Sequence, residues 1–259
     1  MNLSIVPSIG RGQACHGRIS CRVCWKDGEG NHKLLDGQSA QLVNDPGYWG
    51  APDPSVLVLG MSKGFTQSNM MATDQGSFDR IAYAKFRKRL LQGLQAVGLM
   101  EGVQNIDPKL TGAEKEFGFA SVIRCSMTAN DGGEFVSASG KLISALKRPQ
   151  AAAVMDTCLK TYIGALSPKT RLVVLLGNSS GYVDYMRKAM PKLFSDYAAA
   201  EGYDGLLYEA GGRFFVHVAH PSGSNGHFEG FLTGNANDGN GQGIKRELAK
   251  KAISKVLGI

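Results

Sequence analysis

Three groups of residues in this 259-residue chain could do chemistry. The first is a set of thiols. Cys21-Arg22-Val23-Cys24 has the spacing that lets two thiolates reach one metal, and Cys125 and Cys158 would complete a four-thiolate shell if the fold brings them together. Zinc suits such a shell as well as an iron–sulfur cluster does, and ligand type alone does not choose between them. A CxxC pair is common, however, and Cys125 and Cys158 could equally be small buried apolar residues. Cys15, beside His16, offers a substitute ligand.

The second group is His220-Pro221-Ser222, directly after the apolar stretch 214–219 (FFVHVA). A histidine leaving a strand at a ligand edge, with a small flexible loop behind it, can donate a hydrogen bond to an anionic leaving group. The competing reading is a structural histidine, which suits His217 better; His227 reads as loop surface. The third group is residues 60–64 (GMSKG), where Gly60 and Gly64 would let backbone amides approach a phosphate or a base carbonyl. As a phosphate loop it matches neither of the usual glycine patterns.

These residues need elements to hold them. Four continuous apolar runs bounded by turn formers read as buried strands: 55–59 (SVLVL), 119–124 (FASVIR), 171–176 (RLVVLL) and 214–219. Helical patterns fall between them at 78–97, 150–165 and from 180 to about 200, and 244–257 closes the chain as an amphipathic, Lys-rich helix. Strands alternating with helices imply an α/β fold, three layers α/β/α around a central, mostly parallel four-stranded sheet, with the whole of 1–259 as one domain. Residues 128–140 and 222–243 read as long surface loops over the binding edge. In such a sheet ligands bind beyond the carboxyl ends of the strands, where Gly60, Cys125, Gly177 and His220 all fall.

Composition sets bounds. Apolar residues make up 43% and charged residues 20%, which excludes disorder, collagen and coiled coil. No run reaches the roughly 20 apolar residues of a membrane helix, and the N-terminus lacks the pattern of a signal peptide, so a cytoplasmic protein with no membrane partner is expected. Five cysteines in such a chain argue against a disulfide framework. The net charge of +7 biases the surface toward polyanions without deciding for nucleic acid.

Taken in order, these anchors resemble the uracil-DNA glycosylase superfamily, and most closely its iron–sulfur (family four/five-like) branch. The resemblance runs over nearly the whole chain. It rests on Cys21-Arg22-Val23-Cys24-Trp25-Lys26, on VLVL leading into the GxxxG of 60–64, and on a helix ending in Gly-Leu (RLLQGLQAVGL, 89–99). It continues through Ser121-Val122-Ile123-Arg124-Cys125, through Cys158-Leu159-Lys160-Thr161-Tyr162-Ile163 running past Pro168 into VVLLG, and ends at His220-Pro221-Ser222. Three features depart from the pattern. The first motif is GMSKG where the branch has GEAPG and relatives have GMNPG or GQDPY, Ser121 stands in place of an asparagine, and an insertion lengthens the stretch between Cys125 and Cys158 to 32 residues, about twice that of the branch.

The resemblance implies a base excision repair enzyme that flips uracil out of DNA and hydrolyses its N-glycosidic bond, as a monomer. It implies that Cys21, Cys24, Cys125 and Cys158 hold a structural 4Fe-4S cluster, with zinc the alternative. His220, Ser62 and Asp79 form the implied catalytic set, His220 donating to uracil O2 and Asp79 or Asp74 activating water. Gly60, Met61, Lys63, Gly64, Phe65, Phe78 and Ser121 would contact the substrate: amides near Met61 on the base carbonyl, Phe78 or else Phe65 stacked on the base, Ser121 or Asn130 reading its edge, and Lys63 near the anion or a phosphate. Ser222, Gly223, Ser224 and Asn225 would enter the minor groove. The alternative reading is a non-catalytic iron–sulfur nucleic-acid-binding protein that kept the fold.

Overall fold

The computed structural model describes residues 15–73, 77–235 and 241–258. The first half of the chain forms β1 (Gly17–Arg18), β2 (His32–Leu35), β3 (Ala40–Val43), β4 (Gly47–Gly50), β5 (Val56–Ser62), α1 (Phe65–Thr73), α2 (Arg87–Gln95), β6 (Phe117–Ile123), β7 (Ser126–Asp131) and β8 (Glu134–Val136). The second half forms α3 (Ser139–Ala145), α4 (Pro149–Cys158), β9 (Leu172–Leu176), α5 (Ser180–Leu193), β10 (Ala198–Ala199), β11 (Leu207–Ala210), β12 (Arg213–Val218), α6 (Phe228–Thr233) and α7 (Gln242–Leu257).

The chain is mixed α/β. Its large sheet has the order β1-β4-β6-β5-β9-β12-β11-β10 among the described residues, so it is eight-stranded and mixed rather than four-stranded. Pairing is parallel from β6 through β5 and β9 to β12 and antiparallel on both flanks. Successive residues of β5 point to opposite faces. Leu57 and Leu59 pack with residues of α3, α4 and α5, while Val56 and Val58 pack with residues of α2, α6 and α7. Burial on both faces is why these strands are continuous apolar runs. Gly50, at φ +90°, lies against the Phe117 carbonyl where a Cβ would collide, which lets β4 close onto β6.

A second sheet, β2-β3-β7-β8, is antiparallel throughout and was not expected. It corrects the reading of 128–140 as loop: the insertion is a hairpin turning at Gly132-Gly133, followed by α3. The other expected loop, 222–243, contains α6. The helix expected over 78–97 is a short 3-10 turn at Phe78–Arg80, then turns, then α2, because Tyr83 sits at φ +53° and interrupts it. α4 passes into a turn of π-helix at Leu159–Ile163, directly after Cys158. No described helix is long and apolar enough to cross a membrane.

The chain leaves β5 toward β6 on one side and later enters β9 on the other. The strand order therefore reverses between β5 and β9, which puts a crevice at their carboxyl ends.

Candidate functional site: a four-thiol cavity and the crevice beside it

The fold brings the four expected cysteines together. Cys21 and Cys24 lie in the turn between β1 and β2, Cys125 joins β6 to β7, and Cys158 ends α4. All four line one small cavity, partly open to solvent, whose wall also includes Arg124 and Tyr162. Cys15 is exposed and does not line it.

Each of the four sulfurs has a polar neighbour. Tyr162 stands near Cys21 and Thr157 near Cys24, while Asp45 and Arg124 lie near Cys125 and Cys158. Burial pushes the thiols of Cys125 and Cys158 up to about 12 and about 11, and burial with the neighbouring Cys21 raises Cys24. Without a cation in their midst these groups hold their protons, so a bound metal must displace them.

Arg124 supplies positive charge. It is 2% exposed, donates to the Ser121 carbonyl at 2.9 Å, and lies between the rings of Tyr162 and Tyr48, 4.7 Å and 6.0 Å from their centres. Its Nε has no partner among the described residues, and no carboxylate bonds to it there. The one other buried cation nearby, Lys63, is matched by Asp45 at 3.2 Å. The surroundings of the cavity thus carry a buried positive charge that protonated thiols do not balance. Four thiols in one lining and a buried guanidinium beside them fit an anionic thiolate–metal group. Among the described residues, no three His, Cys, Asp or Glu side chains are close enough together to hold a single ion.

The remaining expected residues fall at and around the crevice at the carboxyl ends. His220 lies two residues past β12, and the 60–64 loop leaves β5 two strand spacings away, roughly 10 Å. The backbone N–H of Ser222 donates to His220 Nδ1 at 3.1 Å, and Asn225 Nδ2 donates to the His220 carbonyl at 2.8 Å. Burial lowers His220 to about 4. The ring is therefore neutral at pH 7 and, with Nδ1 accepting, carries its proton on Nε2. His217 is the structural histidine: fully buried, it bonds the Gly177 carbonyl through Nδ1 at 2.7 Å.

The loop after β5 differs from expectation. Ser62 and Lys63 do not face the crevice as free groups. Ser62 Oγ bonds the backbone of Met127, and Lys63 is 1% exposed with its Nζ on the Arg124 carbonyl and on Asp45. The expected catalytic part of the Ser62 side chain and the expected contact of Lys63 with an anion or a phosphate thus fall away. Gly60 stands beside Ser121 in the parallel register, both at the crevice floor, with Met61 buried. Gly64 lies beside Ser137, and Phe65 opens α1 with 58% of its surface exposed.

Phe78 is stacked on Trp49 at 4.6 Å with His16 against its edge, so one face is covered. Asp79 is bound by His16 at 2.8 Å, which leaves it less free as a base; Asp74 lies outside the described residues. Asn130 Oδ1 accepts the Gly133 N–H at 2.9 Å in the β7–β8 turn, so that oxygen is already engaged. Ser222 and Ser224 pair their hydroxyls at 2.9 Å, with Gly223 between them.

Two residues that sequence reasoning passed over stand at the crevice. Phe86 lies 5.8 Å from the His220 ring, and Arg89 bonds the Pro221 carbonyl at 2.9 Å and pairs with Glu229 at 2.8 Å. The signal was the run Lys85-Phe86-Arg87-Lys88-Arg89, an aromatic set among basic residues.

No protein-family model matches this chain, and no curated protein matches it.

Proposed function

We propose that the protein is a DNA glycosylase of the uracil-DNA glycosylase superfamily that excises uracil by base flipping, with a 4Fe-4S cluster held by Cys21, Cys24, Cys125 and Cys158. The observation that carries the catalytic half is His220: neutral, fixed by Ser222 with its proton on Nε2, at the carboxyl edge of the sheet. Cleavage of the glycosidic bond leaves an oxocarbenium-like sugar and a uracil anion, so negative charge grows on the base oxygen. A preorganised N–H donor gains strength as that charge develops. Amides of the 60–64 loop bind the base carbonyl, Ser121 reads its edge and Phe86 joins Phe78 as a ring for the flipped base. With Ser62 and Asp79 already bonded, leaving-group stabilisation carries more of the rate than activation of water.

The metal half rests on the four thiols and on Arg124, which offsets the negative charge of a tetrathiolate group. Iron–sulfur rather than zinc follows the resemblance. Such a cluster would supply folding energy by tying the CxxC turn, β6 and α4 together.

The second reading, a non-catalytic nucleic-acid-binding protein, is favoured by the inward turn of Ser62 and Lys63. One experiment separates the two. A uracil-containing oligonucleotide is incubated with the protein and scored by alkaline strand scission, with His220→Ala beside it. Cleavage that falls on the order of 100-fold or more in the variant supports the enzyme, as loss of a transition-state donor does. Tight binding with no abasic product supports the binding protein.

A further inference from the structure

The loop between β5 and α1 fastens itself to the main chain on both sides of a cavity cysteine. Ser62 Oγ accepts the Met127 N–H at 2.8 Å and donates to the Met127 carbonyl at 3.1 Å. Lys63 Nζ donates to the Arg124 carbonyl and pairs with Asp45, which in turn accepts the N–H and hydroxyl of Ser126, each at 2.7 Å. Residues 124, 126 and 127 are thereby tied to the loop directly or through Asp45, and Cys125 sits inside the bracket. Burying an ammonium and a carboxylate is costly, and a solvated lysine would avoid that cost. Its return here is geometric, since it draws the loop onto the Cys125 segment.

We propose that Ser62 and Lys63 are positioning residues that couple the four-thiol cavity to the crevice, so that a metal group held by the thiols sets the conformation of the 60–64 loop. The inference rests on the reading that the cavity holds such a group. A ligated Cys125 fixes its own backbone, and the bonds to residues 124–127 pass that restraint to the amides that line the crevice. Removing the group frees Cys125 and loosens the loop with it. The inward serine and lysine that replace the usual first-motif residues then have a use that does not require them to touch substrate.

The test measures metal content and backbone hydrogen exchange on the full chain, as isolated and after stripping with ferricyanide and EDTA. In the native sequence, stripping should speed exchange about tenfold or more in 121–128 and in 60–66 together, with β9 and α5 unchanged as internal controls. In Ser62→Ala, and in the paired variant Lys63→Met with Asp45→Leu, metal should be retained while 60–66 exchanges fast in both states. Ser62→Thr, which keeps the hydroxyl, should restore the coupling. Metal-bearing protein whose 60–66 segment exchanges equally before and after stripping overturns the coupling and leaves the metal reading intact. Protein isolated with neither iron nor zinc overturns both.

Discussion

The guanidinium of Arg124 lies 4.7 Å from the centre of the Tyr162 ring, and both residues line the cavity together with the four cysteines. One buried cation and one phenol thus join two of the segments that carry the thiols. The arrangement makes sense for a cavity that holds negative charge, because a guanidinium 2% exposed has lost nearly all its water and no carboxylate among the described residues replaces it.

Arg124→Met should therefore weaken whatever the thiols hold. Loss of metal to EDTA, followed by absorbance and metal analysis, is expected to speed up about tenfold, equivalent to about 1.4 kcal/mol. The stripped protein should move the other way and gain stability, since the variant removes a charge that nothing then balances. Equal metal loss in variant and parent would show that the guanidinium does not serve the group.

Asp45→Asn isolates the charge of the Lys63 pair. The amide oxygen can still accept the Ser126 N–H, while the ammonium of Lys63 is left buried and unpaired. Breaking a buried pair from one side costs about 3–5 kcal/mol, which urea unfolding would register. Lys63→Met combined with Asp45→Asn should recover more than half of that loss, because no charge then remains while the amide oxygen still accepts the Ser126 N–H. A double variant as unstable as Asp45→Asn would mean that shape, not charge, holds the site.

The parallel strands were legible because each is buried on both faces and so reads as an unbroken apolar run. The antiparallel sheet was not. Strand β7 buries Ser126 and Thr128, and β2 exposes Leu34, so neither alternation nor apolar content marked them, while Gly132-Gly133 invited a loop. Spacing marked only the Cys21–Cys24 pair, and the resemblance added Cys125 and Cys158, which the fold brings to the same cavity. The inward turn of Lys63 could not be read, since Asp45 lies on a distant stretch between β3 and β4 and only the tertiary fold puts the two together. Phe78 was singled out by the resemblance, yet contact with Trp49, which sequence order does not reveal, decides how much of its ring is free.

The two aromatic candidates should separate cleanly. Phe86→Ala removes a half-buried ring beside His220 and is expected to weaken binding of a uracil-containing strand by about 1–3 kcal/mol, the range for one base–aromatic stack, with a small effect on unfolding. Phe78→Ala breaks the stack on Trp49 and the contact with His16, so its main effect should be lower stability. Fluorescence anisotropy and thermal unfolding on both variants decide the matter. If Phe86→Ala binds as tightly as the parent, the ring that meets the base lies elsewhere.

The histidines fix the acid side of the pH profile. His217 and His220 are both lowered from 6.5 to about 4 by burial, so each is neutral in the folded chain where the unfolded chain already takes a proton. Stability from such groups is fully present above pH 6.5 and is lost as pH falls through 4; for the fully buried His217 the loss approaches about 3 kcal/mol. Activity should follow His220 in the same window. Protonating Nδ1 ends its acceptance of the Ser222 N–H and releases the loop that aims Nε2, so single-turnover excision should stay level from pH 8 to about 5 and fall as pH approaches 4. Circular dichroism at each pH separates this fall from unfolding. An acid limb centred at 6.5 in folded protein would mean that the His220 ring is solvated, and the tautomer assigned to it would no longer be held by the fold.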